Sequence, residues 1–175
     1  QMELDRLSAI KTIDSEIRAI EELKKSLDAE SLTKALDFMQ NSTGRIIITG
    51  MGKSGHIGKK IAASLASTGT PSFFVHPAEA SHGDLGMITD DDVVIAISNS
   101  GESRELIDIL NYCKRFGIKL IAITKNQDSS LGKAGDVVLL LPNNGEACPL
   151  GLAPTSSTTA TLVLGDILTI RMIER

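Results

Sequence analysis

"RIIITGMGKSGHIGKK", residues 45–60, joins a β-branched run, Ile46 to Thr49, to a glycine-rich turn and then a helical pattern. Gly50, Gly52 and Gly55 have the spacing G-x-G-x-x-G, in the strand-turn-helix setting that a dinucleotide fingerprint requires. That fingerprint also needs an acidic residue about 20 residues on, at the end of the second strand, to hold a ribose hydroxyl. Here the stretch reads Ser72-Phe73-Phe74-Val75-His76-Pro77, with no acid before Glu79. A P-loop would need glycine at position 47, where Ile47 stands. The glycines mark a βα unit, and a dinucleotide enzyme is the weakest of the functional readings.

Outward from this unit the pattern repeats. Strand-like runs at 72–75, 93–97, 119–124 and 137–141 alternate with helical patterns at 56–68, 103–116, 129–134 and 157–174. Runs apolar on both faces and separated by helices predict a doubly wound, Rossmann-like α/β fold with a five-stranded parallel sheet. Such sheets bind ligands at the carboxyl ends of their strands. Ahead of the sheet, Leu4, Leu7, Ile10, Ile13, Ile17, Ile20 and Leu23 recur at helical spacing, so residues 3–25 read as one long amphipathic helix and 30–41 as a second. No repeat, linker or low-complexity tract divides residues 1–175, and a single domain is expected.

With 175 residues, 42% apolar and 23% charged, the chain can bury a substantial core. Its net charge is −4, and without Trp, with one Tyr and four Phe, it lacks the basic and stacking surface that would favour nucleic acid as a partner. The apolar runs are strand-length, well short of the roughly 20 residues of a membrane span, and no signal pattern opens the chain. A cytoplasmic protein without membrane contact is expected. Cys113 and Cys148 have no zinc-ligand spacing, so reduced thiols, no metal and no cofactor are expected.

"DDVVIAISNSGESRELIDIL", residues 91–110, carries the stronger functional signal. A strand runs into Ser98-Asn99-Ser100-Gly101-Glu102-Ser103 and then directly into a helix, whose first N–H groups and dipole favour an anion. Ser98, Ser100 and Ser103 add three hydroxyls where a helix cap needs one. They make a cradle suited to the phosphate of a sugar monophosphate.

This loop resembles the phosphate loop of the sugar isomerase (SIS) domain family. Residues 50–88 (GMGKSGHIGKKIAASLASTGTPSFFVHPAEASHGDLGMI), 93–106 (VVIAISNSGESREL) and 146–166 (EACPLGLAPTSSTTATLVLGD) are similar, within it, to the arabinose-5-phosphate isomerases. The resemblance implies interconversion of D-ribulose 5-phosphate and D-arabinose 5-phosphate through an enediol, at the first step toward the lipopolysaccharide or capsule sugar Kdo. It implies a homotetramer with sites at subunit boundaries, and CMP-Kdo is carried as a feedback ligand of the same cleft. Glu105 and Glu146 are the carboxylates expected to move the proton, Lys53 the ammonium for phosphate or enediolate, and His82 a further acid-base group. Glu146 is the expected base, because its loop follows the last strand without being tied to a helix dipole, and burial or a nearby phosphate would raise its pKa. Gly52, Ser54, Ser98, Asn99, Ser100, Ser103, Thr155 and Ser156 are the expected binding residues. His56 and His76 read as structural.

Departures from the family pattern are visible too. The two CBS domains that often follow the SIS domain have no counterpart before Arg175, and a further family histidine beyond the last helix has none after His82. With Gln1 ahead of Met2, a short form or a chain with altered ends is expected. The residues 160–173 are apolar nearly all round, which predicts subunit packing. Two other readings stay open: a sugar-phosphate sensor, which would keep the serine loop without needing Glu146, and an isomerase of another phosphosugar.

Overall fold

The computed structural model describes residues Gln1–Arg175. Five strands, β1 (Ile46–Gly50), β2 (Ser72–Phe74), β3 (Val93–Ile97), β4 (Lys119–Thr124) and β5 (Val137–Leu140), form one parallel sheet in the order β2-β1-β3-β4-β5. Around it lie α1 (Met2–Ser26), α2 (Ala29–Asn41), α3 (Gly52–Ser67), α4 (Pro77–Ser81), α5 (Ile107–Phe116), α6 (Ser130–Ala134) and α7 (Ser156–Glu174).

Every residue of β1 and β3 is buried, as parallel strands covered on both faces must be. Side-chain alternation divides them between two cores. Ile46, Ile48, Val93, Ile95 and Ile97 join the first, closed by α1, α2, α3 and α7 through Leu23, Leu36, Ile61 and Leu164. Ile47, Val94 and Ala96 join the second, closed by α4, α5 and α6 through Ala80, Ile109 and Leu131. The chain leaves β1 toward β2 and returns to β3 on the other side of β1, so the strand order reverses between β1 and β3. That reversal opens a crevice at their carboxyl ends.

Three local features differ from the sequence reading. α3 begins at Gly52 rather than near residue 56, so Lys53 and Ser54 lie in its first turn. A Cβ on Gly55 would stand 2.5 Å from the carbonyl oxygen of Gly50, so these glycines let the helix start directly against the strand end. Between β2 and β3 the chain forms α4 and a 3₁₀ turn, Asp84–Met87, both too short to show a period. Pro77 opens α4 and the Nδ1 of His76 accepts from the Ala78 N–H at 3.1 Å, which makes His76 a helix cap. After the serine loop, a 3₁₀ turn, Arg104–Leu106, precedes α5.

The apolar stripe of α1 marks a helix, but not one laid against its own sheet. Leu23 is buried, whereas Leu4, Leu7, Ile10, Ile13, Ile17 and Ile20 are 38–66% exposed. No helix is long and apolar enough to cross a membrane.

Candidate active site

The carboxyl ends of β1, β3, β4 and β5 enclose a cleft of about 430 Å³. A larger groove of about 660 Å³ between α5 and α6 holds none of the candidate hydroxyls or carboxylates, so the chemistry rather than the size locates the site.

β3 delivers Ser98 to the cleft, where the chain turns sharply. Ser98 Oγ accepts from the Gly101 N–H at 3.0 Å and lies 2.9 Å from Ser103 Oγ, while Ser100 Oγ accepts from the Glu102 N–H at 3.2 Å. Gly101 makes the turn possible at φ +76°, a conformation that favours glycine. The loop is then tied to the β4–α6 segment. Asn99 O accepts from the Lys125 N–H at 3.1 Å and from Thr124 Oγ1 at 3.2 Å, and Gly101 O accepts from the Leu131 N–H at 3.0 Å. The Glu102 carboxylate takes both the N–H and the hydroxyl of Ser130. These donors, the backbone one first, hold the Glu102 carboxyl below its ordinary pKa. Ser98, Asn99, Ser100 and Ser103 all line the cleft, as does Ser54 from α3. Asn99 Oδ1 is buried without a partner, an acceptor that a ligand hydroxyl would satisfy.

Glu146 closes the opposite side, in the segment between β5 and α7. Its Oε1 accepts from the N–H groups of Thr155 at 3.1 Å and Ser157 at 2.9 Å, and its Oε2 from the Ser157 hydroxyl. The carboxylate therefore sits on the N-terminus of α7, contrary to the expectation of a loop free of any helix dipole. Its pKa is lowered, not raised as the sequence suggested. Burial acts to raise it, but the Ser157 hydroxyl, the two backbone donors and the charge of Lys125 outweigh burial and hold it below the ordinary carboxylate value. Thr155 Oγ1 accepts from the Ala147 N–H at 2.8 Å and braces the same segment, while buried Ser156 lines the cleft with its Oγ 3.2 Å from Ser15 Oγ of α1.

The remaining expected site residues lie elsewhere in the single chain. Gly52, Lys53, Glu105 and His82 are exposed and do not line this cleft, although each follows the carboxyl end of β1, β3 or β2. Lys125 and Ser157 do line it, and sequence reasoning passed over Lys125. The signal was present: Lys125 directly follows the apolar run Leu120 to Thr124, as Ser98 directly follows Val93 to Ile97. Ser157 belongs to the hydroxyl run that opens α7.

The two thiols are chemically distinct. Burial, with help from the charge of Asp136, pushes Cys113 up to about 12, whereas the amides of Ala153, Leu152 and Leu150 lower Cys148 beside Glu146. Since the thiolate is the reactive form, iodoacetamide at neutral pH should label Cys148 and spare Cys113 until the protein unfolds. Equal labelling rates in the native state would contradict this.

The fold and cleft define an α/β protein with a hydroxyl-rich loop facing a capped carboxylate at a topological switch point. The SIS domain model matches residues 39–171, and the chain belongs to the SIS domain family. It is 57% identical over 167 residues to a Pseudomonas aeruginosa protein named arabinose 5-phosphate isomerase KdsD, covering 95% of this chain and 51% of that protein. An Escherichia coli CFT073 protein named arabinose 5-phosphate isomerase KpsF is 51% identical over 168 residues, covering 96% and 51%. The chain thus spans about half the length of these relatives. A solved Escherichia coli CFT073 structure in complex with arabinose 5-phosphate superposes with a TM-score of 0.93 at 42% identity, covering 99% of this chain and 92% of that one.

Proposed function

We propose that this chain acts as a single SIS domain interconverting D-ribulose 5-phosphate and D-arabinose 5-phosphate. The observation that carries this reading is the placement of Glu146 across one cleft from the Ser98–Ser103 loop, a base candidate opposite an anion cradle. The sugar phosphate named with the 42% identical structure supports the choice of substrate. With the phosphate in the serine loop, Glu146 takes the proton from C2 of the open-chain aldose. O1 takes up a proton as the cis-enediol forms; Glu146 then returns its proton to C1 while the C2 hydroxyl gives up its own and becomes the ketone, so one proton has moved from C2 to C1 and one from O2 to O1. Lys53, Glu105 and His82 are the residues available to complete the site in an assembly whose clefts lie at subunit boundaries. The reading places the enzyme in the cytoplasm, at the head of Kdo synthesis for lipopolysaccharide or capsule, with CMP-Kdo as feedback ligand of the same cleft.

The test is a coupled isomerase assay with D-ribulose 5-phosphate. Turnover to arabinose 5-phosphate supports the reading. Phosphate-dependent thermal stabilisation without turnover would favour the sensor reading, and turnover of a different phosphosugar would reassign the substrate.

A homotetramer accompanies this proposal. Six apolar residues of α1 and, on α7, Ile170 at 52% and Ile173 at 55% exposure leave more apolar surface uncovered than a soluble monomer carries comfortably. Light scattering at micromolar concentration should give four times the mass of one chain; a stable monomer would contradict it.

A further inference from the structure

Within the cleft only two side chains are ionisable, Glu146 and Lys125. The other elements around it present uncharged groups: Ser54 from α3, the Ser98–Ser103 hydroxyls after β3, and Ser156 and Ser157 from α7. The Glu102 carboxylate is occupied by Ser130, and Lys53 is exposed outside the cleft. Half-buried Lys125 is therefore the one cation the single chain brings to this space.

Its position is fixed by the backbone. Lys125 is the first residue past β4, and its N–H donates to the carbonyl of Asn99 within the serine loop. Its stem thus starts beside the anion cradle, and its charge is felt by Glu146 on the far side. We propose that Lys125 is a substrate-contacting residue, its ammonium serving as the counter-charge for the phosphorylated end of the sugar. This deepens the isomerase reading and rests on it.

The consequence is a link between phosphate capture and base strength. In the free cleft Lys125 favours the ionised form of Glu146. A phosphate monoester carries a charge of about −1.5 to −2 at neutral pH, so it is a stronger attractor for the ammonium than one carboxylate. As Lys125 turns to the phosphate, Glu146 loses a cationic neighbour and gains an anionic one. Both changes raise its proton affinity toward the value a base needs near neutral pH. The substrate's own phosphate readies the carboxylate.

The experiment compares wild type, Lys125→Met and Lys125→Arg in steady-state isomerisation of ribulose 5-phosphate and in inhibition by inorganic phosphate. Charge-assisted contacts are the strong class of hydrogen bond, and Lys125→Met should raise both KM and the phosphate inhibition constant by roughly tenfold to a hundredfold. Lys125→Arg should restore both to within a few-fold of wild type. The acidic limb of kcat/KM should move to higher pH in Lys125→Met, because Glu146 has lost its cation. A lysine that merely braces the fold would lower the melting temperature without moving the two constants together, and values within twofold of wild type overturn the proposal. If wild type fails to turn over ribulose 5-phosphate, the isomerase reading falls instead. Thermal stabilisation by inorganic phosphate then still reads Lys125: equal shifts in wild type and Lys125→Met overturn its role as counter-charge.

Discussion

Glu146→Gln is expected to lower kcat by about 10²- to 10⁴-fold, the usual contribution of a proton-transferring group, while leaving KM for ribulose 5-phosphate near the wild-type value. The substitution isolates the chemistry well. A glutamine Oε1 can still accept from Thr155 and Ser157, so the N-terminus of α7 keeps its cap and the cleft its shape. What disappears is the ability to take a proton from carbon. The pH dependence of stability provides a second readout. A carboxylate whose folded pKa is depressed contributes stability above its unfolded pKa and loses it as pH falls through the folded value. Wild type should therefore lose the contribution of Glu146 only on acidification below the ordinary carboxylate range, and Glu146→Gln should lack that component. Retention of near-wild-type kcat would transfer the proton to Glu105 or His82.

Gly101→Ala should be the most damaging small change in the serine loop. At φ +76° an alanine is strained, and its Cβ would stand 1.9 Å from Ser129 Oγ and 2.4 Å from Ser129 Cβ. Left-handed backbone costs about 1–2 kcal/mol and overpacking about 1–3 kcal/mol, so the melting temperature should fall by roughly 5–15 °C in a chain of this size. KM should rise with it, because Ser98 and Ser103 keep their positions only while the turn holds. Thermal melts and kinetics on Gly101→Ala and on Gly101→Ala/Ser129→Gly check the cause. The double variant removes the colliding hydroxymethyl and should regain part of the loss; no regain would place the damage elsewhere.

The sheet was legible because β3 is apolar at every position and β1 opens with three isoleucines in a row, a pattern that strands covered on both faces sustain. The serine loop was legible because it lies directly between such a strand and a helix. The start of α3 was not, since Gly52 and Gly55 read as loop formers when nothing in the sequence reports that a helix will press on the Gly50 carbonyl. Glu146, singled out in the sequence, does line the cleft, but its environment was misjudged: the partners that depress its pKa, Thr155 and Ser157, are nine and eleven residues away and meet it only when the segment doubles back onto α7. Lys125 was missed for a simpler reason. A lone lysine after a strand looks like any solvated loop lysine until the neighbouring strand ends are placed around it. The period of α1 gave its helix correctly and left its partner open, because period reports that a face is apolar and says nothing about which surface will cover it.

The ties between the serine loop and the β4–α6 segment also bear on how a ligand would be met. Asn99 O, Gly101 O and the Glu102 carboxylate each hold the loop to an element already fixed by the sheet, so its backbone is immobilised when the chain folds. Ordering a residue's backbone costs about 1–2 kcal/mol, and in this loop that entropy is surrendered at folding rather than at capture. An incoming anion would meet a finished receptor, and its binding energy would be left for distinguishing one ligand from another.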